Sequence, residues 1–136
     1  MPPCIFCQIA SGRAPAHLVL DEPDRLAFLD TRPLFSGHVL LVPRLHVETF
    51  PELPAEALGP YFAAAQRLVK AVEKARGADG TFVAMNNKVS QSVPHLHVHI
   101  VPRRFKDGMR GFFWPRNPYA DEQEAAAVAA SIRAAL

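Results

Sequence analysis

His95, His97 and His99 take every second position of the stretch PHLHVHIVPRR, and Leu96, Val98 and Ile100 stand between them. Extended backbone sends successive side chains to opposite faces, so this row puts three imidazoles on one side and three apolar chains on the other. Alternate residues on one face lie about 6.6–7 Å apart. Each imidazole on a half-buried face needs its own polar partner, so three in strict alternation point to a working array rather than to core filling. Two chemistries fit. Two of the histidines could chelate a catalytic zinc in a His-x-His arrangement, with a third ligand elsewhere and water completing the site. Alternatively one is a nucleophile, because imidazole with a pKa near 6.5 is largely neutral at physiological pH and keeps a free lone pair. Attack on phosphorus needs one ring nitrogen bare, the other proton held by an acceptor, and donors around the phosphate oxygens. Ser92 and Gln91, just upstream, are candidates for those donors. Spacing alone leaves both chemistries open.

The two cysteines, Cys4 and Cys7, form a Cys-x-x-Cys. In a reducing compartment such a pair binds metal or does redox chemistry more readily than it forms a structural disulfide. The strand that a thioredoxin-like motif requires has no room before Cys4. Two thiolates are half of a tetrahedral zinc site, and two further ligands are then needed.

The elements that would position these residues can be read from the pattern. Cys4 to Ala10 suggests a short helix or turn, stopped by Ser11-Gly12 and kept from resuming by Pro15. Leu18–Asp21 and Arg25–Asp30 read as a hairpin around Glu22-Pro23-Asp24. A third strand, about His38 to Val42, enters through Gly37 and ends at Pro43; its run Val39-Leu40-Leu41-Val42 predicts a central strand buried on both faces. From Ala55 to Arg76, residues Leu58, Tyr61, Phe62, Ala65, Leu68, Val69 and Val72 mark one face of a long helix, with Gly77 as its cap. Gly59-Pro60 is expected to kink its first turns or delay its start. Thr81–Met85 and about His95–Val101 read as two more strands, joined by the polar loop Asn86–Ser92. Glu122–Ala135 reads as a last helix, capped by Asp121 with Glu124 closing a capping box. The order predicts an α+β fold with a mostly antiparallel sheet.

Length and composition set the limits. The chain of 136 residues has the size of one domain, and residues 1–136 are expected to form one. It carries no apolar run of membrane-spanning length and no signal-peptide pattern, so a cytoplasmic protein without a membrane anchor is expected. A net charge of +2 is too mild to indicate a nucleic-acid binder. Arg103, Arg104, Lys106, Arg110 and Arg116 nevertheless crowd the segment after the histidine row, either as a solvated loop or as a surface facing phosphate or a partner. His17 lies outside every motif and is expected on the surface.

QSVPHLHVHIVPR, taken with CIFCQIASGRAPA, LAFLDTRPLFSGHVLLVPRLH and the loop NNKVSQS, resembles the histidine triad family of nucleotide hydrolases and transferases, over roughly Cys4 to Arg104. The stretch GFFWPRNPY and the last helix look like a branch-specific tail. The resemblance implies the fold of that family: one long helix, a short N-terminal helix and a C-terminal helix on the mostly antiparallel sheet. It implies that His97 is a nucleophile on the α-phosphorus of a bound purine nucleotide, forming a nucleotidyl-histidine that water resolves. His99 and His38 would then orient the phosphate and support charge transfer, with Ser92 donating a proton near the leaving group. Asn86 or Asn87 and Gln91 would contact phosphate or ribose, Asp30 the ribose hydroxyls, and Ile5, Phe6 and Phe28 the base.

The resemblance also implies a structural zinc held by Cys4, Cys7, His46 and His95, as in many bacterial members, and a homodimer. The expected substrates are purine nucleoside phosphoramidates or AMP conjugates. The alternatives are a dinucleoside polyphosphate hydrolase, a zinc-dependent hydrolase and a nucleotide-binding module with little turnover. Asn86-Asn87-Lys88-Val89-Ser90 replaces a Gly-rich stretch found in some members. The leaving-group preference therefore stays open, and Lys88 is a candidate cation for a longer polyphosphate.

Overall fold

The computed structural model describes residues 3–109 and 116–136. Arg110 of the basic cluster and Trp114 of the tail lie outside the described residues. The elements are α1 (Ile5–Ala10), β1 (Leu18–Glu22), β2 (Arg25–Leu29), β3 (Val39–Pro43), a 3-10 turn at Phe50–Glu52, α2 (Ala55–Arg76), β4 (Gly80–Ala84), β5 (Val98–Arg103) and α3 (Glu122–Ala135). The five strands form one antiparallel sheet in the order β1-β2-β3-β5-β4. The α+β reading is borne out.

β3 is buried along its whole length, as its unbroken apolar run requires. Val39 and Leu41 face α2, where they join Leu96, Val98 and Ile100 and the helix residues Tyr61, Ala64, Ala65, Leu68 and Val72. Leu40 and Val42 face the other way and meet Phe6 of α1 with Leu26 and Phe28 of β2. The sheet therefore lies between the long helix and the short N-terminal one. The Tyr61 hydroxyl, buried in the first layer, donates to the Leu41 carbonyl at 2.7 Å.

α2 starts at Ala55 and runs unbroken through Pro60, so the expected delay does not occur. Pro60 is the sixth residue of the helix, and its missing N–H removes one bond near an end whose first donors have no intrahelical partner anyway. Gly77 caps the other end in the left-handed conformation, with φ of 58°. At α3, Asp121 accepts from the Glu124 N–H, but the Glu124 carboxylate reaches back to the Ala120 N–H, one residue before the expected partner. The 3-10 turn, which the hydrophobic pattern missed, is held by Glu52, whose carboxylate accepts from the N–H groups of Glu48 and Thr49.

One boundary differs in a way that matters for the site. The histidine strand was expected over His95–Val101, yet β5 begins at Val98. Its ladder to β3 is limited to Val98, His99 and Ile100, while the Leu96 N–H is satisfied by Val47. The Pro43 carbonyl beyond that ladder accepts from the His95 side chain instead. The two-sided alternation survives all the same, because Leu96, Val98 and Ile100 are all completely buried in the α2 layer. No helix among the described residues is long and apolar enough to cross a membrane.

Candidate active site and candidate metal centre

Ile5, Phe6, Phe28, Asp30, Ser92, His97 and His99 line one pocket of about 730 Å³, between α1 and the open face of the sheet. That volume suits a ligand of nucleotide size. Phe6 and Phe28 meet edge to face at 5.3 Å between ring centroids, and Phe6 stands 5.1 Å from the ring of His97. A second cleft adjoins the first, shares Asp30, Arg32 and His99 with it, and adds His38 and Asn86. Arg32, which sequence reasoning did not single out, is thus a cation at the junction. The N–H of Arg32 donates to the Asp30 carboxylate at 2.9 Å, fixing that side chain beside the pocket.

Asn87 and Gln91 are not lining residues of either cleft. The Asn87 side chain accepts from the Phe50 N–H at 2.8 Å, and Gln91 bridges the Lys88 N–H at 2.8 Å and the Glu48 carbonyl at 2.6 Å. Both brace the loop after β4 against the turn at Phe50. Asn86 donates to the Ser90 carbonyl at 3.2 Å. Lys88 has φ of 70° within this braced loop and does not line either cleft.

The four imidazoles on this side differ in which nitrogen carries the proton, and their backbone partners decide it. A carbonyl only accepts, so the nitrogen facing it must be an N–H. His97 Nδ1–H donates to the His95 carbonyl at 2.7 Å, which leaves Nε2 with a free lone pair. His95 Nε2–H donates to the Pro43 carbonyl at 2.8 Å, which leaves its Nδ1 bare. His38 is the reverse: its Nδ1 accepts the Leu34 N–H at 3.1 Å, so the proton sits on Nε2. His99 completes the set, with Nδ1 2.9 Å from that Nε2.

Burial lowers the pKa of His99 to about 4, with help from the neighbouring His97 and His38. Burial also lowers that of His38, against the opposing pull of Asp30. Both are therefore neutral near pH 7, with a definite sign for stability. The unfolded chain takes up protons on these residues near pH 6.5 while the folded chain resists them, so folding is favoured fully above that pH and less as pH falls towards 4. The thermal midpoint is expected to drop steadily between pH 7 and 4.5, and a His99→Asn variant is expected to show a shallower slope over that range. Equal slopes in scanning calorimetry would contradict the assignment.

The bare His95 Nδ1 points at a second group. It lies 3.4 Å from Cys4 Sγ, 3.6 Å from Cys7 Sγ and 3.1 Å from His46 Nδ1, and Cys7 Sγ is 3.3 Å from His46 Nδ1. Ligands 2.0–2.3 Å from a tetrahedral ion stand about 3.3–3.8 Å from one another, so these separations come within about 0.2 Å of what one zinc-sized ion requires. Burial first, and then the adjoining Cys4 sulfur, push the Cys7 thiol upward. The set Cys4, Cys7, His46, His95 offers four donors, the number that fills a tetrahedral shell in structural zinc sites.

Arg44, also missed by sequence reasoning, secures α1 in reach of this cluster: its guanidinium bonds the Ala10 carbonyl at 2.6 Å, the Glu22 carbonyl at 2.8 Å and the Asp21 carboxylate. No local signal marks it, since its partners come from two other elements. Of the basic cluster, Arg103 pairs with Asp107 and Arg104 bonds the Gly77 and Arg76 carbonyls at the end of α2. These two cations are structural. His17 is exposed, as expected.

Known proteins share this chain's sequence pattern and fold. A family model described as the HIT domain matches residues 11–106. The adenosine 5'-monophosphoramidase of Schizosaccharomyces pombe is 35% identical over 122 residues, 88% of this chain and 89% of that one. The crystal structure of a HIT-family protein from Bacillus subtilis superposes with a TM-score of 0.87 at 31% identity, covering 98% of this chain and 96% of that one. A zinc-bound histidine triad protein from Mycobacterium smegmatis gives 0.74 at 33% identity, covering 98% and 97%.

Proposed function

Because the chain belongs to the HIT-domain family, we propose that it is a nucleotide hydrolase that cleaves purine nucleoside phosphoramidates or related AMP conjugates. The observation that carries this reading is His97: a buried imidazole on the wall of a nucleotide-sized pocket, with Nδ1–H tied to the His95 carbonyl so that Nε2 is the nitrogen left for attack. Nε2 attacks the α-phosphorus, and the P–N bond to the substrate amine breaks as that amine takes the proton of the Ser92 hydroxyl, which recovers it from the water of the second step. Water then attacks the nucleotidyl-histidine and releases AMP and free His97. Asp30 accepts from the ribose hydroxyls, and Ile5, Phe6 and Phe28 enclose the base. His99 presents an N–H to the phosphate oxygens, where charge builds up in the transition state.

The second cleft, joined to the first at Asp30, Arg32 and His99, favours a second reading in which the leaving group is longer, as in a dinucleoside polyphosphate. Product analysis separates the two. An AMP-amine is expected to turn over with a kcat/KM at least tenfold above that of diadenosine polyphosphates, yielding AMP and free amine. The opposite ranking would move the assignment to the polyphosphate reading.

The four-donor Cys4, Cys7, His46, His95 set supports a structural zinc. When bound, that ion supplies cross-linking of α1 to the sheet. A homodimer is the proposed assembly. Its supports are β4, which is an edge strand, and the half-exposed Val83 on it, which borders an apolar groove against Phe62 and Val69 of α2.

A further inference from the structure

We infer that His38 does not act on the substrate directly but sets the tautomer of His99, through a chain of fixed protons that starts at the Leu34 backbone N–H. This inference rests on the reading of the pocket as a phosphoryl-transfer site. Leu34 N–H occupies His38 Nδ1, so His38 can be neutral only as the Nε2–H form. That N–H has two acceptors nearby. The Asp30 carboxylate is 3.7 Å away, beyond hydrogen-bond range, whereas His99 Nδ1 is 2.9 Å away. His99 Nδ1 is then an acceptor, and the remaining proton of neutral His99 must sit on Nε2. His38 is 3% exposed, and a second proton on it would both bury a charge and break the Leu34 bond.

The outcome at the pocket is a matched pair. His97 offers a lone pair on Nε2 while His99, whose ring centroid is 5.0 Å away, offers an N–H on Nε2. A nucleophile beside a neutral donor is the arrangement an attacked phosphoryl group needs. If His99 adopted the other tautomer it would present a lone pair to the phosphate oxygens, which repel it. The turn Leu34–His38 thereby becomes a positioning device that acts on the pocket through His99. Gly37, with φ of 101°, lets the chain turn into His38; an added Cβ there would stand 2.8 Å from the Arg76 side chain.

The same protons decide a second question. Asp30, His38 and His99 bring their ligand atoms within 4.8 Å of one another, as a two-histidine, one-carboxylate cation site would. Ligation through His38 Nε2 would require removing its proton while Nδ1 still accepts from Leu34, that is, an imidazolate. The group is therefore a hydrogen-bond chain and not a cation site, in contrast to the set around His95 Nδ1.

Histidine-selective 15N labelling and long-range 1H–15N correlation of the zinc-supplied protein near pH 7.5 reads the tautomers without substrate. His99 is expected as the Nε2–H form in the wild type; an Nδ1–H form overturns the proposal. Glutamine places an amide N–H where His38 Nε2 lies, while asparagine matches only Nδ1. His38→Gln is expected to keep the His99 tautomer and to recover kcat to within about tenfold. His38→Asn is expected to give mixed His99 tautomers and a kcat loss of about 10²-fold with KM little changed, the scale for removal of one transition-state donor. Equal losses in the two variants with an unchanged His99 spectrum overturn the proposal. If the substrate class were wrong, kcat would be low in every protein while the tautomer pattern stayed as described. A zinc titration monitored by elemental analysis is expected to stop at one equivalent per chain; a second equivalent abolished by His38→Asn also overturns it.

Discussion

His97→Ala is expected to lower kcat on an AMP-amine substrate by about 10⁴-fold or more, the scale seen when a covalent nucleophile is removed. Nucleotide affinity is expected to stay within a few-fold of wild type. The two effects separate because binding is distributed along the pocket while attack is not. Phe6 packs against Phe28 independently of the His97 ring, and Asp30 is held by the Arg32 N–H. No other imidazole can take over. His95 has its Nε2–H on Pro43 and its Nδ1 in the cysteine cluster, and His99 Nδ1 is occupied as the acceptor of the His38 Nε2–H. Rapid quench of the wild type with a substrate labelled at the phosphorus is expected to trap label on the protein at an acid-labile, base-stable bond. Substantial hydrolysis by His97→Ala, or quench samples without protein-bound label, would sink the covalent route. A zinc-dependent hydrolase would behave in the opposite way, losing activity with the metal and trapping no label.

The second large effect concerns stability. Removing zinc with a chelator, or replacing Cys4 and Cys7 together by serine, is expected to lower the thermal midpoint by on the order of 10–15 °C. This follows from a ligand held at about 1,000 times its Kd, which stabilises the fold by about 4 kcal/mol, and from the usual conversion of free energy to midpoint for a domain of this size. The purified protein is expected to carry one zinc per chain, with both cysteines protected from alkylation until the metal is stripped. Freely alkylated cysteines and a midpoint indifferent to added zinc would refute the site.

The functional signature of the cysteine variant differs from that of His97→Ala. The short helix α1 carries Phe6 between the two cysteines, and Phe6 is the ring that touches Phe28, His95 and His97. Loosening α1 opens the base wall, so KM for nucleotide rises. The His95 carbonyl that fixes His97 belongs to the backbone and is still in place. Affinity loss with chemistry largely kept, against chemistry lost with affinity kept, distinguishes the metal clamp from the nucleophile.

Much of this was legible before any coordinates. Alternation alone separates Leu96, Val98 and Ile100 from the three histidines, because a two-residue period has only two faces. The apolar run of β3 placed it centrally, and the spacing from Ala55 to Arg76 marked α2, although the delay expected from Gly59-Pro60 does not occur. The start of β5 was misread, since the residue pattern of His95–Leu96–His97 is strand-like while its hydrogen bonds go to Val47, to Pro43 and within the segment itself. Arg44 and Arg32 left no local mark.

Sequence by itself therefore determined which face each histidine takes and that two cysteines lie within one helical turn of each other. Only the tertiary structure decided what each imidazole can do. His95 meets the Pro43 carbonyl 52 residues away and His38 meets His99 across 61. Residue type and spacing set where a ring stands, but its proton goes to whichever nitrogen faces an acceptor, and those acceptors are assembled only when the sheet closes.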